Sequence, residues 1–296
     1  MRTIKSIPNM QSAVRKHRLS GERIIFVPTM GALHEGHLSL IRKAKKMSGI
    51  TVVSIFVNPT QFGANEDLDK YPRSLKQDRE LLKGLGVNYL FLPAARYMYP
   101  DGFSTWIEVG KITGVLEGKS RPTHFRGVTT IVAKLLNIVQ PDVAIFGQKD
   151  AQQAVVIRKM VDDLNIPVKI IVSPTVREHS GLAMSSRNRY FNTEQRLRAS
   201  CIYRGLKKGR DLIAGGETDP RRVASDVRKE IKSASGVKVD YVSINDRDDF
   251  SRVREITRDV LILVAAELDG IRLIDNISAR PGRTKPEKKR KSRKRR

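Results

Sequence analysis

The chain has 296 residues, of which 40% are hydrophobic, so it is long enough to bury the cores of two ordinary domains. No apolar run reaches the roughly 18 to 20 residues of a membrane helix, and the N-terminus has no apolar signal-peptide core, so a cytoplasmic protein is expected. The single cysteine, Cys201, excludes an intramolecular disulfide and is expected to be a buried apolar residue rather than a nucleophile.

The formal net charge of +25 is unevenly distributed and is densest at the C-terminus. Residues 280–296 contain eleven Lys or Arg and one Glu, which leaves +15 for the rest of the chain. A segment with so much like charge and no apolar residue to bury is predicted to be disordered. Two interpretations stay open: a solubilising extension, or a weak contact with a polyanion such as nucleic acid or anionic lipid.

Short β-branched runs alternate with helical patterns through the first part of the chain. Strands are predicted at 24–27, 51–57, 89–92, 143–146 and 168–172. Apolar residues at three- and four-residue spacing predict helices at 38–47, 75–85, 128–139 and 151–164. This alternation predicts an α/β fold with a doubly wound, Rossmann-like parallel sheet, in which ligands bind beyond the carboxyl ends of the strands.

The pattern changes near residue 174. Helices are predicted at 193–214 and 219–233, followed by strands at 239–244, 260–266 and 271–274. We therefore predict a Rossmann-like domain at 1–174, a smaller mixed α/β domain at 175–279, and the basic tail at 280–296.

The segment 28–37, Pro-Thr-Met-Gly-Ala-Leu-His-Glu-Gly-His, lies between a predicted strand and a predicted helix. A turn here brings backbone N–H groups and the positive end of a helix to one point, which favours a phosphate chain. His34 and His37 are three residues apart, so both side chains point the same way and donate to one phosphate. A metal pair is the rival interpretation, but zinc helices use four-residue spacing and no third ligand is near, so no metal site is predicted.

Two further segments carry groups suited to phosphate. In Phe-Gly-Gln-Lys-Asp at 146–150, Gly147 permits close backbone approach and Lys149 supplies a mobile positive charge. In Met-Ser-Ser-Arg-Asn at 184–188, two hydroxyls stand beside the Arg187 guanidinium. Together with the His-x-Gly-His turn, the Ser-Ser-Arg run is the signature of the nucleotidyl-transferring superfamily that includes the class I aminoacyl-tRNA synthetases.

Six collinear segments resemble those of the pantothenate synthetase family, the pantoate–β-alanine ligases, over about residues 24 to 276. They are 28–37, 57–63, 66–73, 121–128, 146–153 and 181–188. The resemblance implies an ATP-dependent ligase that condenses pantoate with β-alanine through a pantoyl-adenylate, releasing AMP and pyrophosphate. It also implies a homodimer with no membrane span, and Mg²⁺ accompanying the ATP.

The family's functional residues transfer onto matching positions of this chain. By resemblance, His34 and His37 form the catalytic pair with His37 as proton donor, while Gln61 and Gln153 hold pantoate. Since a carboxylate must attack a phosphate, we expect Lys149, Arg187 and the two histidines to supply positive charge. The nucleotide-binding residues implied by the resemblance are Met30, Gly31, Ala32, Leu33, His34, Glu35, Gly36, His37, Gly147, Gln148, Lys149, Asp150, Val176, Met184, Ser185, Ser186 and Arg187.

Four residues near these motifs leave questions open. Thr123 replaces a common glycine of the family, Ala151 a bulky residue and Ser180 an aspartate. The Ser180 change removes a negative charge beside the nucleotide loop, so ATP affinity or loop order is expected to differ from that of relatives. Asp78 is a candidate partner for Mg²⁺, although a carboxylate in a helical Asp-Arg-Glu run is more typical of a solvated surface charge.

Two other functions compete with the ligase. A nucleotidyltransferase acting on a phosphorylated small molecule shares the His-x-Gly-His turn, but a phosphate acceptor favours Lys or Arg where this chain has Gln61 and Gln153. A nucleic-acid-binding protein would explain the +25 charge. The aromatic content is only 6% and we find no nucleic-acid-binding motif, so that interpretation is restricted to the tail.

Overall fold

The computed structural model describes residues 1–63, 66 and 68–282. The predicted disorder of the basic tail therefore concerns residues that lie, apart from 280–282, outside the described part of the chain. Within the described part, the strands form a six-stranded parallel sheet and a three-stranded antiparallel sheet. None of the helices described is both long enough and apolar enough to cross a membrane.

Nine strands and ten α-helices are present in the described residues. The strands are β1 Arg2–Ile4, β2 Ile24–Thr29, β3 Ile50–Ile55, β4 Tyr89–Phe91, β5 Val143–Gly147, β6 Lys169–Ser173, β7 Val237–Asp246, β8 Val260–Leu268 and β9 Ile271–Ala279. The helices are α1 Ile7–Leu19, α2 Glu35–Lys45, α3 Leu75–Gly84, α4 Ala95–Met98, α5 Glu117–Ser120, α6 His124–Val139, α7 Ala151–Asp163, α8 Thr193–Ala199, α9 Cys201–Ala214 and α10 Pro220–Lys232.

The order of strands in the large sheet is β1-β4-β3-β2-β5-β6, and every pair is parallel. From β2 the chain adds β3 and β4 on one side, then crosses over to add β5 and β6 on the other. The carboxyl ends of β2 and β5 therefore flank the point where the strand order reverses, which is where α/β sheets open a crevice for ligands. Residues 30–37 follow β2 and residues 148–150 follow β5, so two predicted phosphate-binding segments meet at this crevice.

Helices cover both faces of the large sheet, which explains why its strands are continuous apolar runs rather than alternating ones. Ile24 to Val27 of β2 are each 0% exposed. On one face the sheet packs against α1, α6 and α7, and on the other against α2 and α3. The predicted Rossmann-like fold is confirmed.

Several elements differ from the prediction. β1 was not predicted, because a three-residue strand is too short to show a repeating pattern. α1 was not predicted either, since only Met10, Ala13 and Val14 of its 13 residues are buried. α6 begins at His124 rather than at 128. The helix predicted at 193–214 is divided at Ser200, whose hydroxyl donates to the Leu197 carbonyl at 2.6 Å and so competes with the helical backbone pattern.

The antiparallel sheet β7-β8-β9 carries α9 and α10 on one face. Gly205 and Gly209 of α9 permit this packing, since a Cβ there would lie 2.7 Å from Ile231 and 2.6 Å from Val227 of α10. Cys201 is fully buried in this second core, as expected. The opposite face of the sheet contacts the start of α7, where Ala151 packs with Val155, Phe250, Leu261 and Leu263.

Candidate active site

A cavity of about 850 Å³ lies between the carboxyl edge of the large sheet and the small sheet. Its wall combines residues from all the segments singled out in the sequence. The predicted residues on the wall are Met30, His34, Gly36, His37, Gln61, Gly147, Lys149, Asp150, Gln153, Val176, Met184, Ser185, Ser186 and Arg187. Five predicted nucleotide-binding residues are not part of this wall, namely Gly31, Ala32, Leu33, Glu35 and Gln148.

The two histidines lie at the first turn of α2. His34 is the N-cap residue and His37 the third helical residue, and their ring centroids are 4.1 Å apart. The backbone N–H of His34 donates to Nδ1 of His37 at 3.4 Å. Because Nδ1 accepts this bond, neutral His37 carries its proton on Nε2, which leaves Nε2 as the donor toward a ligand.

Burial keeps both imidazoles neutral at pH 7. It lowers the pKa of His34 to about 4, helped by the positive charges of Lys149 and Arg189. It also lowers the pKa of His37 to about 3, with His34 as the next contributor. The histidines are therefore hydrogen-bond donors before an anion binds, and the positive charge we expected from them resides instead on Lys149 and Arg187.

Gly36 makes room for the His34 ring. A Cβ at this position would lie 2.9 Å from both Cε1 and Nδ1 of that ring, closer than carbon atoms pack without displacement. The glycine of the His-x-Gly-His motif thus allows the first imidazole to lie across the helix start.

Replacing Gly36 by alanine is expected to displace the His34 ring. If His34 acts in the adenylation that the sequence predicts, the rate of ATP–pyrophosphate exchange should then fall about tenfold to a hundredfold. The matched control is Gly84→Ala in α3, where a Cβ meets nothing within 4 Å. That variant should exchange at the wild-type rate. Equal rates for the two variants would show that the ring position does not depend on Gly36.

Neutral, partly buried histidines also make the stability of the fold depend on pH. His34, His37 and His124 have pKa values of about 4, 3 and 4, below the ordinary histidine value of 6.5, with burial the main cause in each. As the pH falls below 6.5, these imidazoles bind protons in the unfolded chain but not in the folded chain, and this difference favours unfolding. Stability that is complete above pH 6.5 is therefore lost between about pH 6.5 and 4.

We expect the free energy of unfolding, measured in urea at pH 7.5, 6.5 and 5.5, to change little over the first step and to fall over the second. Each group contributes up to about 1.4 kcal/mol per pH unit. His124→Gln should make the second step smaller. His179→Gln, which changes an exposed histidine, should leave it unchanged. A step of wild-type size in His124→Gln would contradict this origin of the acid sensitivity.

Asp78 does not lie on the surface, as its sequence context suggested. It is 1% exposed and accepts hydrogen bonds from the backbone N–H groups of Ala32 at 2.9 Å and Leu33 at 2.8 Å. Its Oδ1 also accepts from the Ser74 hydroxyl at 3.2 Å. Both oxygens are therefore used in holding the turn before α2, which explains why the N–H groups of Ala32 and Leu33 do not face the cavity.

The sequence pattern also missed a polar chain that orients Gln61. Asn58 Nδ2 donates to Gln61 Oε1 at 3.2 Å and to the Gly127 carbonyl at 3.1 Å. Its Oδ1 accepts from the Tyr99 hydroxyl at 2.8 Å and from the Thr60 hydroxyl at 3.1 Å. The Gln61 Nε2 group donates one hydrogen bond to Met30 Sδ at 3.0 Å, which leaves its second N–H as the donor toward a ligand. The sequence signals for Asn58 were its place in the 57–63 segment and its position shortly after a strand.

The segment 176–188 folds back on itself beside the cavity. The Met184 N–H donates to the Val176 carbonyl at 2.9 Å, and Asn188 Nδ2 donates to Glu178 at 2.7 Å. Ser185 Oγ accepts from the Arg187 N–H at 3.3 Å. Lys149, on the facing segment, lies 3.2 Å from Asp150. Burial opposes ionisation of Asp150, but the charge of Lys149 and its hydrogen bond hold the carboxyl pKa below its usual value.

Comparison with known proteins identifies the family. The family model described as Pantoate-beta-alanine ligase matches residues 2–278. The chain belongs to the pantoate–β-alanine ligase family. Pantothenate synthetase from Moorella thermoacetica is 51% identical over 277 residues, which cover 94% of this chain and 97% of the relative. The enzyme of the same name from Acetivibrio thermocellus is 49% identical over 94% of this chain and 99% of the relative.

Solved structures agree with this assignment. The crystal structure of pantothenate synthetase from Thermus thermophilus has a TM-score of 0.90 and 40% identity, covering 95% of this chain and all of that one. A pantoate-beta-alanine ligase from Francisella tularensis, complexed with beta-gamma ATP and beta-alanine, has a TM-score of 0.77 and 38% identity over 94% of this chain and 97% of that one. The predicted ligase family is confirmed, and the chain is an enzyme of that family.

Proposed function

We propose that this chain condenses pantoate with β-alanine to form pantothenate, through a pantoyl-adenylate and with release of AMP and pyrophosphate. The observation that carries the proposal is the shared cavity onto which His34, His37, Lys149, Arg187 and Gln61 all open. The Francisella relative, solved with beta-gamma ATP and beta-alanine, supports a site for both in this family.

In the first step, the pantoate carboxylate attacks the α-phosphorus of ATP and the bond to pyrophosphate breaks. Lys149 and Arg187 would reduce the repulsion between the two anions, and the neutral imidazoles would donate hydrogen bonds to phosphate oxygens. Such fixed donors act where charge develops in the transition state. We propose His37 Nε2 as the principal donor, since the turn fixes the tautomer of that ring.

Mg²⁺ enters the proposal as the ion carried by ATP, where it neutralises part of the phosphate charge. Among the described residues there is no group of three or more His, Cys, Asp or Glu that could hold a metal ion. Asp78 uses both of its oxygens on backbone and hydroxyl donors. We therefore assign the ion to the substrate and no protein ligand to it.

Gln61 and Gln153 would hold pantoate. A neutral amide can donate to the carboxylate and accept from a hydroxyl, and unlike a guanidinium it leaves the carboxylate its negative charge for the attack. Both glutamines line the same cavity. A phosphorylated acceptor would lack a cationic partner at these two positions, which disfavours the alternative nucleotidyltransferase.

In the second step, the neutral amine of β-alanine attacks the acyl carbon of the adenylate. The C–N bond forms, the bond from that carbon to AMP oxygen breaks, and the amine loses a proton to solvent. The protein contributes mainly by holding the two reactants together and by keeping water from the adenylate.

The test is to mix the protein with ATP, pantoate and β-alanine and to measure AMP and pantothenate. Equal amounts of the two products are expected. Without β-alanine, the protein should form an acyl-adenylate and catalyse ATP–pyrophosphate exchange only when pantoate is present. Formation of ADP and phosphate, or exchange that does not require pantoate, would overturn the mechanism. Nucleotidyl transfer to a phosphorylated acceptor would support the competing function.

Four expectations about domain organisation, assembly, location and the basic tail accompany this proposal. We propose a domain boundary near residue 174, a cytoplasmic location and, by resemblance to the family, a homodimer. Sedimentation of the full chain tests the dimer. The polyanion contact of the tail is tested by deleting residues 283–296 and measuring DNA retention at low salt, which should then fall. Unchanged retention would contradict it.

A further inference from the structure

Asn276 of β9, in the small domain, holds the turn that carries Lys149. Its side chain is 3% exposed, and its Nδ2 donates to the carbonyls of Gln148 and Lys149, both at 2.9 Å. Its Oδ1 accepts from Gln148 Nε2 at 3.1 Å. All three polar contacts go to a turn 127 or 128 residues earlier in the chain, so one side chain of the small domain fixes the backbone beneath the phosphate-facing lysine.

The preceding residue holds the other nucleotide segment. Asp275 is 5% exposed and pairs with both terminal nitrogens of Arg177, at 2.6 and 3.0 Å. Arg177 also donates to the Gly181 carbonyl at 3.1 Å and to the Asn276 carbonyl at 3.2 Å. Its guanidinium lies 3.9 Å from the centre of the Tyr203 ring. The hairpin anchored in this way, residues 177–183, leads directly into the Met-Ser-Ser-Arg run.

The two anchors are themselves connected. The backbone N–H of Asn276 donates to Asp275 Oδ1 at 2.7 Å, so the carboxylate and the amide are held in a fixed relation. Successive residues of a strand point to opposite faces, which is why one side chain reaches Arg177 and the next reaches the Lys149 turn. The dipeptide thus connects the turn that carries Lys149 with the hairpin that precedes the Ser-Ser-Arg run.

We propose that Asp275 and Asn276 are positioning residues that set the spacing between Lys149 and the Ser-Ser-Arg segment for the triphosphate of ATP. The inference rests on the proposed function in that both segments bind the nucleotide. Asn276 lies on the cavity wall, but its Nδ2 group donates to the Gln148 and Lys149 carbonyls and its oxygen accepts from Gln148, so we assign its effect to the turn rather than to contact with the substrate. The small domain thus takes part in nucleotide binding by arranging groups that belong to the large one.

The closing experiment compares two buried asparagines of the small domain. Asn276→Ala removes the hydrogen bonds to the turn that carries Lys149. Asn245→Ala removes a side chain that is 2% exposed and donates to the Phe250 carbonyl at 2.7 Å, away from the cavity wall. Both variants should lower the melting temperature, because each removes a side-chain donor from backbone carbonyl oxygens that are at least partly buried. Only Asn276→Ala should alter nucleotide binding.

Binding of a non-hydrolysable ATP analogue is measured by calorimetry in the absence of pantoate, so the result does not depend on the ligase reaction itself. Asn276→Ala should weaken the analogue about tenfold and raise the KM for ATP similarly, with the KM for pantoate within about twofold of wild type. Asn245→Ala should keep wild-type affinity. Asn276→Asp should behave like the alanine variant, because it places a carboxylate against two carbonyl oxygens.

The positioning role of Asn276 would be contradicted if Asn276→Ala bound the ATP analogue with wild-type affinity. It would also be contradicted if Asn245→Ala lost as much affinity as Asn276→Ala. If Asn276→Ala does not fold, Asn276→Ser, which keeps one donor, takes its place, and wild-type affinity there would likewise contradict the proposal. If the wild-type protein binds the analogue but forms no AMP from ATP in the presence of pantoate and β-alanine, the proposed function is contradicted and the positioning role of Asn276 is not.

Discussion

Replacing His37 by alanine is expected to lower the rate of pantoate adenylation about a hundredfold to a thousandfold, the usual loss when one fixed donor to a developing charge is removed. The ring is held by the backbone of His34 so that Nε2 carries the proton. Because its pKa is lowered to about 3, the ring donates as a neutral group at pH 7. The measurement is ATP–pyrophosphate exchange with saturating pantoate.

Two further variants separate the donor role from other effects. His37→Gln keeps an N–H group near the position of Nε2 and should retain more exchange activity than His37→Ala. His17→Ala is the control, since that histidine lies on α1 and bonds Glu22 and Tyr89 far from the cavity wall. Near-normal exchange in His37→Ala would exclude the assigned role, whatever the effect of the other substitutions.

Replacing Asp78 by alanine is expected to destabilise the protein by about 3 kcal/mol, because two buried backbone N–H groups lose their acceptor. Ala32, one of those donors, has a φ of +49°, a conformation that a non-glycine residue adopts only when its surroundings impose it. Without the carboxylate, the turn should relax and carry His34 and His37 away from the cavity, so exchange activity should fall as well. Urea unfolding and pyrophosphate exchange measure the two effects.

The control is Glu80→Ala, which removes an exposed carboxylate from the same helix and should change stability by less than about 0.5 kcal/mol. Raising the Mg²⁺ concentration separates the turn-holding role from metal binding. If Asp78 held the ion, high Mg²⁺ would restore activity to Asp78→Asn. If it holds the turn, activity should not recover. Recovery, or a loss of stability below about 1 kcal/mol in Asp78→Ala, would contradict our assignment.

The sequence alone determined the class of fold and the segments that line the cavity. The buried run at β2 and the helix-period run after it required a strand, a turn and a helix, since local periodicity sets local structure. Parallel strands place their carboxyl ends at one edge, so the segments after β2 and β5 could be predicted to meet. The six collinear motifs predicted the ligase family that the comparisons confirm.

Only the tertiary structure decided how these segments are held and charged. Asp78 looked like a surface charge because its neighbours in sequence are polar, but its burial depends on a turn 45 residues away. The pKa values of His34 and His37 depend on burial, which no local pattern records. Asn276 contacts the Lys149 turn across 127 residues of chain. Spacing in a sequence fixes what is near along a helix or strand, whereas desolvation and long-range hydrogen bonds exist only once distant elements have packed together.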